Sequence, residues 1–98
     1  MNPIALVDLL NHRFNSVGYA YGLQPGRTYD RIWAAPIFNG APALLHRSIY
    51  CFVRRNDGAI LKAASWQAPA KGVRSTVERA INGADPVGPT DGWLYRCR

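Results

Sequence analysis

Leu6, Leu10 and Phe14 recur at every fourth position with Leu9 beside them, and that spacing predicts an amphipathic helix over about residues 3–15. Asn2 and Pro3 supply an N-cap and a first-turn proline for it. The rhythm then changes to alternation. Val17-Gly18-Tyr19-Ala20-Tyr21 reads as a short strand or an extended connection, and residues 28–35 place Tyr29, Arg31 and Trp33 on one side and Asp30, Ile32 and Ala34 on the other. Pro36 to Pro42 reads as a proline-bounded loop in which Ile37 and Phe38 are satellite core. A second alternating run covers residues 48–55, with Ile49, Cys51 and Val53 on one face and Tyr50, Phe52 and Arg54 on the other. Asn56-Asp57-Gly58 tolerates the positive φ of a tight turn, so residues 59–65 return antiparallel as a hairpin.

Pro69 reads as another first-turn proline, and Val73, Val77, Ala80 and Ile81 form a stripe that predicts a helix over about 69–82, stopped by Asn82-Gly83. Gly72 lies inside that stretch and asks what approaches its backbone. Trp93-Leu94-Tyr95-Arg96 fits a last edge strand. Together these elements make one α+β domain over residues 1–98. It has an antiparallel sheet of about three to five strands, an N-terminal helix, and a second helix after the central hairpin.

If both helices cover one side of the sheet, Ile32, Ile49, Cys51 and Val53 face them. Tyr29, Arg31, Trp33, Tyr50, Phe52 and Arg54 then form the second face, where rings alternate with guanidinium groups. Such a face is either a wet stacking platform for single-stranded nucleic acid or a second core beneath the loop at 36–45.

Aromatic strands are more often core than platform, but the charge gives the binding reading its weight. Twelve Lys and Arg stand against six Asp and Glu, a net charge of +6, and ten of the twelve cations are Arg. From Arg47 to Arg79 there are seven basic residues and two acids. Trp66, Lys71 and Arg74 cluster where the second helix is expected to begin, which predicts an anion site built from helix N–H groups and cations. The candidate binding residues are therefore Arg31, Trp33, Tyr50, Arg54, Arg55, Lys62, Trp66, Lys71 and Arg74. The cations take phosphates and the rings take bases.

The histidines, cysteines and carboxylates nowhere assemble a catalytic or metal-binding pattern, so the expectation is a non-enzymatic binding protein without metal or cofactor. No apolar run approaches the length of a membrane span, and the first residues lack a secretory leader, so a cytoplasm is expected. Cys51 and Cys97 then read as idle thiols, although a pairing depends on their distance in the fold.

Three segments carry a resemblance. Gly26-Arg27-Thr28-Tyr29-Asp30-Arg31-Ile32, Arg47-Ser48-Ile49-Tyr50-Cys51-Phe52-Val53 and the run from Gly58 to Arg74 resemble small tailed-bacteriophage proteins with GRxYxxI, RSxxxFV and KAASWxAPAK elements. The resemblance covers residues 26–74 and implies a phage protein in the cytoplasm of an infected bacterium. It brings no activity with it. A looser likeness in element order to double-stranded-RNA-binding domains lacks their paired lysines at the second helix.

Three roles follow. The first is binding of nucleic acid, single-stranded or RNA. The second is inhibition of a host protein, such as a polymerase or a CRISPR-type defence complex, through the same Arg and Trp anchors. The third is self-assembly through the edge strand at Trp93.

Overall fold

The computed structural model describes residues 3–95; Asn2, Arg96 and Cys97, and any cap or pairing they make, lie outside the described residues. Helix α1 spans Pro3–Phe14 and buries Leu6, Val7 and Leu10 on one stripe. A 3-10 turn over Asn15–Val17 ends it, and Gly18 at φ 100° reverses the chain into strand β1, Tyr19–Gln24. Strand β2, Tyr29–Phe38, pairs antiparallel with β1 along its length.

Residues 36–42, expected as a loop, extend β2 and turn through Asn39 (φ 54°) and Gly40 (φ 78°) into the two-residue strand β3, Ala41–Pro42. Phe38 at this tip is 60% exposed, so it is not satellite core. After a 3-10 turn at Leu44–His46, strand β4 (Ser48–Arg54) pairs with β2 and leads through the expected hairpin into β5, Ala59–Leu61. The hairpin closes on a Gly58 N–H to Arg54 carbonyl bond, with Gly58 at φ 72°. Asp57 accepts from the Ala59 N–H at 3.0 Å and from Arg54 Nη2 at 2.8 Å, and the Arg54 bond holds its carboxyl below the usual range.

The chain leaves the sheet at Lys62, returns as the short strand β6 (Ser75–Thr76), and completes an antiparallel order β1-β2-β4-β5-β6 with β3 beside β2. Helix α2 occupies only Val77–Ile81, not 69–82. Gly72 at φ +96° takes a backbone that a helix forbids, and Arg74 N–H is committed to the Ile60 carbonyl. The helix therefore waits for a true cap, Thr76, whose Oγ1 accepts from Arg79 N–H at 3.1 Å.

The main core lies between the sheet and the helices and unites Leu6, Leu10, Ile32, Cys51, Val53, Ile60, Val77, Trp93 and Leu94. One residue breaks the expected alternation. The register slips between Ile32↔Cys51 and Trp33↔Ile49, leaving Tyr50 as an extra residue on β4. That bulge turns Tyr50 toward the helices, where it is 1% exposed, and sends Ile49 to the opposite face beside Phe52. Tyr50 is thus a core residue and is removed from the candidate binding surface.

The expected edge strand at 93–96 is a 3-10 helix, Asp91–Tyr95, with Trp93 and Leu94 buried. Trp93 Nε1 donates to the Tyr50 hydroxyl at 2.7 Å, which donates in turn to the Gly88 carbonyl at 2.8 Å. The Tyr21 hydroxyl donates to the Pro89 carbonyl. Burial raises the pKa of both tyrosines, so these hydroxyls remain donors throughout the physiological range. At the outer edge of the sheet, Asn11 of α1 clamps the Tyr21 backbone, donating to its carbonyl at 3.0 Å and accepting from its N–H at 2.9 Å. These two bonds occupy edge groups that would otherwise template another strand.

Cys51 is a free, fully buried thiol, and burial first, then the charge of Asp91, pushes its pKa up. Iodoacetamide is expected to leave Cys51 unmodified in the native protein at neutral pH and to alkylate it in denaturant, read by peptide mapping. Native-state alkylation of Cys51 would contradict the packing described here.

Candidate nucleic-acid interface

On the sheet face opposite the helices, Phe52, Ala59 and Leu61 form a second small core with Tyr29, Ile49 and Ala63 packed against it. The sequence left that face open to two readings, platform or core, and the structure divides it between them. Phe52 is 2% exposed and unavailable for stacking. Toward Trp33 the face opens, and there the polar and aromatic side chains gather.

The arm between β5 and β6 provides the lid and the exposed edge. Its limbs are tied by Ala70 N–H to the Lys62 carbonyl at 2.8 Å and by an Ala63↔Pro69 bridge. Nearer the tip, the Ala64 and Ser65 N–H groups both donate to the Ala68 carbonyl, and Gln67 N–H donates to Ser65 Oγ. The KAASWxAPAK element is therefore a closed hairpin arm that presents Trp66 at its tip. The expected helix start is absent, so no helix N–H groups assist Lys71 or Arg74. Gly72 serves a positive φ and has open space around it.

Two arginines dock the arm onto the sheet. Arg31 Nε donates to the Trp66 carbonyl at 2.7 Å while its guanidinium carbon sits 5.8 Å from the Phe52 ring centre. Arg47 lies over two rings, 5.6 Å from the centre of Trp33 and 5.7 Å from that of Trp66. Beneath Trp33 is Gly22 of β1, where even a Cβ would come within 2.2 Å of the indole. Trp33, Arg47 and Trp66 thus form one cluster seated on a bare stretch of backbone.

This surface repels no anion. The two segments that build it, residues 31–56 and 58–77, contain no Asp or Glu. Three acids adjoin these segments: Asp30 points to the helix side and is buried, where it accepts from Gly26 N–H at 3.2 Å, Asp57 is paired with Arg54 at the hairpin turn, and Glu78 belongs to α2.

Of the residues expected to bind, Arg31, Trp33 and Trp66 are brought together, and Lys71 and Arg74 lie on the returning limb of the arm. Lys62 alternates to the helix side, its Nζ 4.2 Å from the Tyr95 ring centre, and so leaves the cluster. Arg54 and Arg55 sit at the opposite end of the sheet. Arg54 is paired with Asp57, and Arg55 Nη1 donates to the Gly26 carbonyl at 2.6 Å and lies 3.9 Å from Asp30. They border a separate cavity of about 310 Å³ lined by Pro3, Ile4, Leu23 and Pro25.

The sequence reading missed Arg47 and Arg27. Both begin or follow the first letters of the recognised elements, RSxxxFV and GRxYxxI, so the signal was the motif itself. It also missed Leu44 and Leu45, which line a depression of about 270 Å³ with Arg47 and Trp66 and are 52% and 98% exposed.

Among the described residues no group of three or more His, Cys, Asp or Glu gathers around one point, and no helix is long and apolar enough to cross a membrane. A family of unknown function (DUF7717) matches residues 6–95, and the chain belongs to it. No curated protein and no solved structure matches the chain.

Proposed function

We propose that this member of the family is a small, non-enzymatic protein that binds single-stranded DNA or RNA in the cytoplasm of a phage-infected bacterium. The observation that carries the reading is the Trp33–Arg47–Trp66 cluster on a surface whose segments hold no carboxylate. Single strands expose base faces that stack on indole or guanidinium planes, and their phosphates seek cations. Arg27, which lines a depression with Arg31, and Lys71, on the returning limb of the arm, are both exposed, and a net charge of +6 draws a polyanion from a distance. The phage setting rests on the resemblance over residues 26–74.

Fluorescence anisotropy with labelled single-stranded DNA, RNA and duplex tests it at two salt concentrations. Wild type is expected to prefer single strands and to weaken as salt rises. Trp66→Ala removes stacking, and a loss of about 1–3 kcal/mol predicts at least a fivefold weaker complex. Lys71→Ala, which removes a phosphate contact, flattens the salt dependence by about one unit of slope. Tight binding to none of the three nucleic acids would overturn the reading.

A second reading, a phage inhibitor that grips a host protein, is favoured by one feature. Leu44 and Leu45 stand exposed beside Arg47 and Trp66, and adjoining exposed leucines serve a protein contact better than a phosphate backbone. Salt separates the two, since an apolar-centred complex loses little affinity where a polyanion complex loses much. Self-assembly through a strand at Trp93 has no such support, because that segment is helical and its Trp93 and Leu94 are buried.

A further inference from the structure

Arg31 is held in place and yet left unfinished. Its Nε bond to the Trp66 carbonyl and its seat over Phe52 fix the guanidinium plane, and the side chain is only half-buried. Among the described residues its two terminal nitrogens meet no hydrogen-bond acceptor and no carboxylate. Arg31 borders a depression of about 190 Å³ between the start of β2 and the hairpin arm, lined also by Arg27, Thr28, Gln67 and Pro69. Arg27 is exposed, and no carboxylate among the described residues pairs with it.

A long cationic side chain normally loses rotamer entropy when it docks on a ligand. Here the fold has already immobilised Arg31, so a ligand that accepts from its two terminal nitrogens gains the fork contact with little further ordering. The acceptor that suits it is an oxyanion, because the lining offers two cations, the hydroxyls of Thr28 and Tyr29, an amide and no acid. Partial enclosure by Phe52, Tyr29 and Pro69 lowers the screening that an exposed pair would suffer.

We propose that this depression is a phosphate-binding subsite. Arg31 donates two parallel N–H bonds to one phosphate group, Arg27 supplies the second charge, and Thr28 and Gln67 close around the remaining oxygens. The source of the phosphate, a nucleic-acid strand, rests on the function proposed above; the subsite itself does not. One fixed phosphate would set the position of a strand whose neighbouring bases reach Trp66, on the far side of the same arm tip.

The test begins with inorganic phosphate and the full chain labelled with nitrogen-15 at arginine. The Arg31 Nε–H resonance, protected by its bond to Trp66, is expected to shift saturably with phosphate and to stay put in chloride at equal ionic strength. Arg31→Lys keeps the charge and loses the fork. It is expected to bind labelled single-stranded DNA about tenfold more weakly than wild type while retaining the wild-type circular dichroism spectrum. Arg27→Ala, at an exposed position that supports no packing, is expected to weaken phosphate severalfold. Paired oligonucleotides with a 5′-phosphate or a 5′-hydroxyl separate a terminal monoester from an internal diester as the occupant.

An Arg31 resonance indifferent to phosphate overturns the subsite. So does an Arg31→Lys variant that binds DNA as wild type does while Trp66→Ala fails, and that result leaves the wider nucleic-acid reading intact. Saturable phosphate binding at Arg31 in a protein that ignores every oligonucleotide supports the subsite and removes nucleic acid as its source.

Discussion

Trp93→Ala is expected to cost about 3–5 kcal/mol, the range for deleting a buried aromatic side chain. A domain of this size has roughly 5–15 kcal/mol of stability in all, so the variant sits near the edge of folding. The corresponding fall in Tm is at least about 12 °C. The indole contributes in two ways. It fills the main core beside Leu94, and its Nε1–H holds the Tyr50 hydroxyl that in turn fixes the Gly88 carbonyl. Trp93→Phe separates them in part: it keeps the six-membered ring and removes the hydrogen bond together with the volume of the pyrrole ring, for at least about 1 kcal/mol. Thermal unfolding followed by circular dichroism reads both. A Tm for Trp93→Ala within a few degrees of wild type would mean that the segment 91–95 does not pack as described. Truncation before Trp93 is, for the same reason, a stability experiment and not a test of self-assembly.

The parts of the fold that local pattern dictates were legible. Helix α1 follows its spacing-four leucines, and the central hairpin follows Asn56-Asp57-Gly58, because in both cases residues adjacent in sequence satisfy each other. What failed was set by partners far along the chain. The stripe Val73, Val77, Ala80 and Ile81 has helical spacing. Yet Arg74 N–H bonds Ile60 across the sheet and Gly72 adopts a left-handed backbone, so the helix shrinks to Val77–Ile81. Trp93-Leu94-Tyr95 has strand composition, but Tyr50 and Gly88 give its indole a helix-side pocket, and a five-residue 3-10 turn delivers it there.

The site shows the same division. Alternation correctly placed Arg31 and Trp33 with Phe52 on the second face, since β2 and β4 are paired there without interruption up to Ile32↔Cys51. Beyond that point one inserted residue exchanged Tyr50 for Ile49, and no periodicity count contains a bulge. Arg47 escaped for a different reason. It precedes β4, outside any alternating run, and acquires its place only when the arm brings Trp66 over it. A cation whose partners come from Trp33 and Trp66, on separate elements, is invisible to any reading of neighbours.

Gly22→Ala is the substitution that couples this sheet to this site. A Cβ at position 22 would stand 2.2 Å from Trp33 Cζ2 and 2.5 Å from Cε2, distances at which the indole must move. The ring is not the free end of a flexible chain. It is bounded by β1 below and by Arg47 above, so displacement disturbs the contact that Arg47 makes with Trp33. Overpacking of this kind costs about 1–3 kcal/mol. The expected result is a folded protein with a Tm lower by at least about 4 °C and an altered tryptophan emission spectrum. Its affinity for single-stranded DNA should fall toward that of Trp66→Ala, although no residue proposed to touch the strand has been changed. The double variant Gly22→Ala with Trp33→Val gives the new methyl the volume vacated by the indole. It should regain part of the stability and none of the binding. Recovery of both would place the ligand elsewhere than on the Trp33–Arg47–Trp66 cluster, whereas stability regained alone assigns to Gly22 the task of seating the indole on which Arg47 rests.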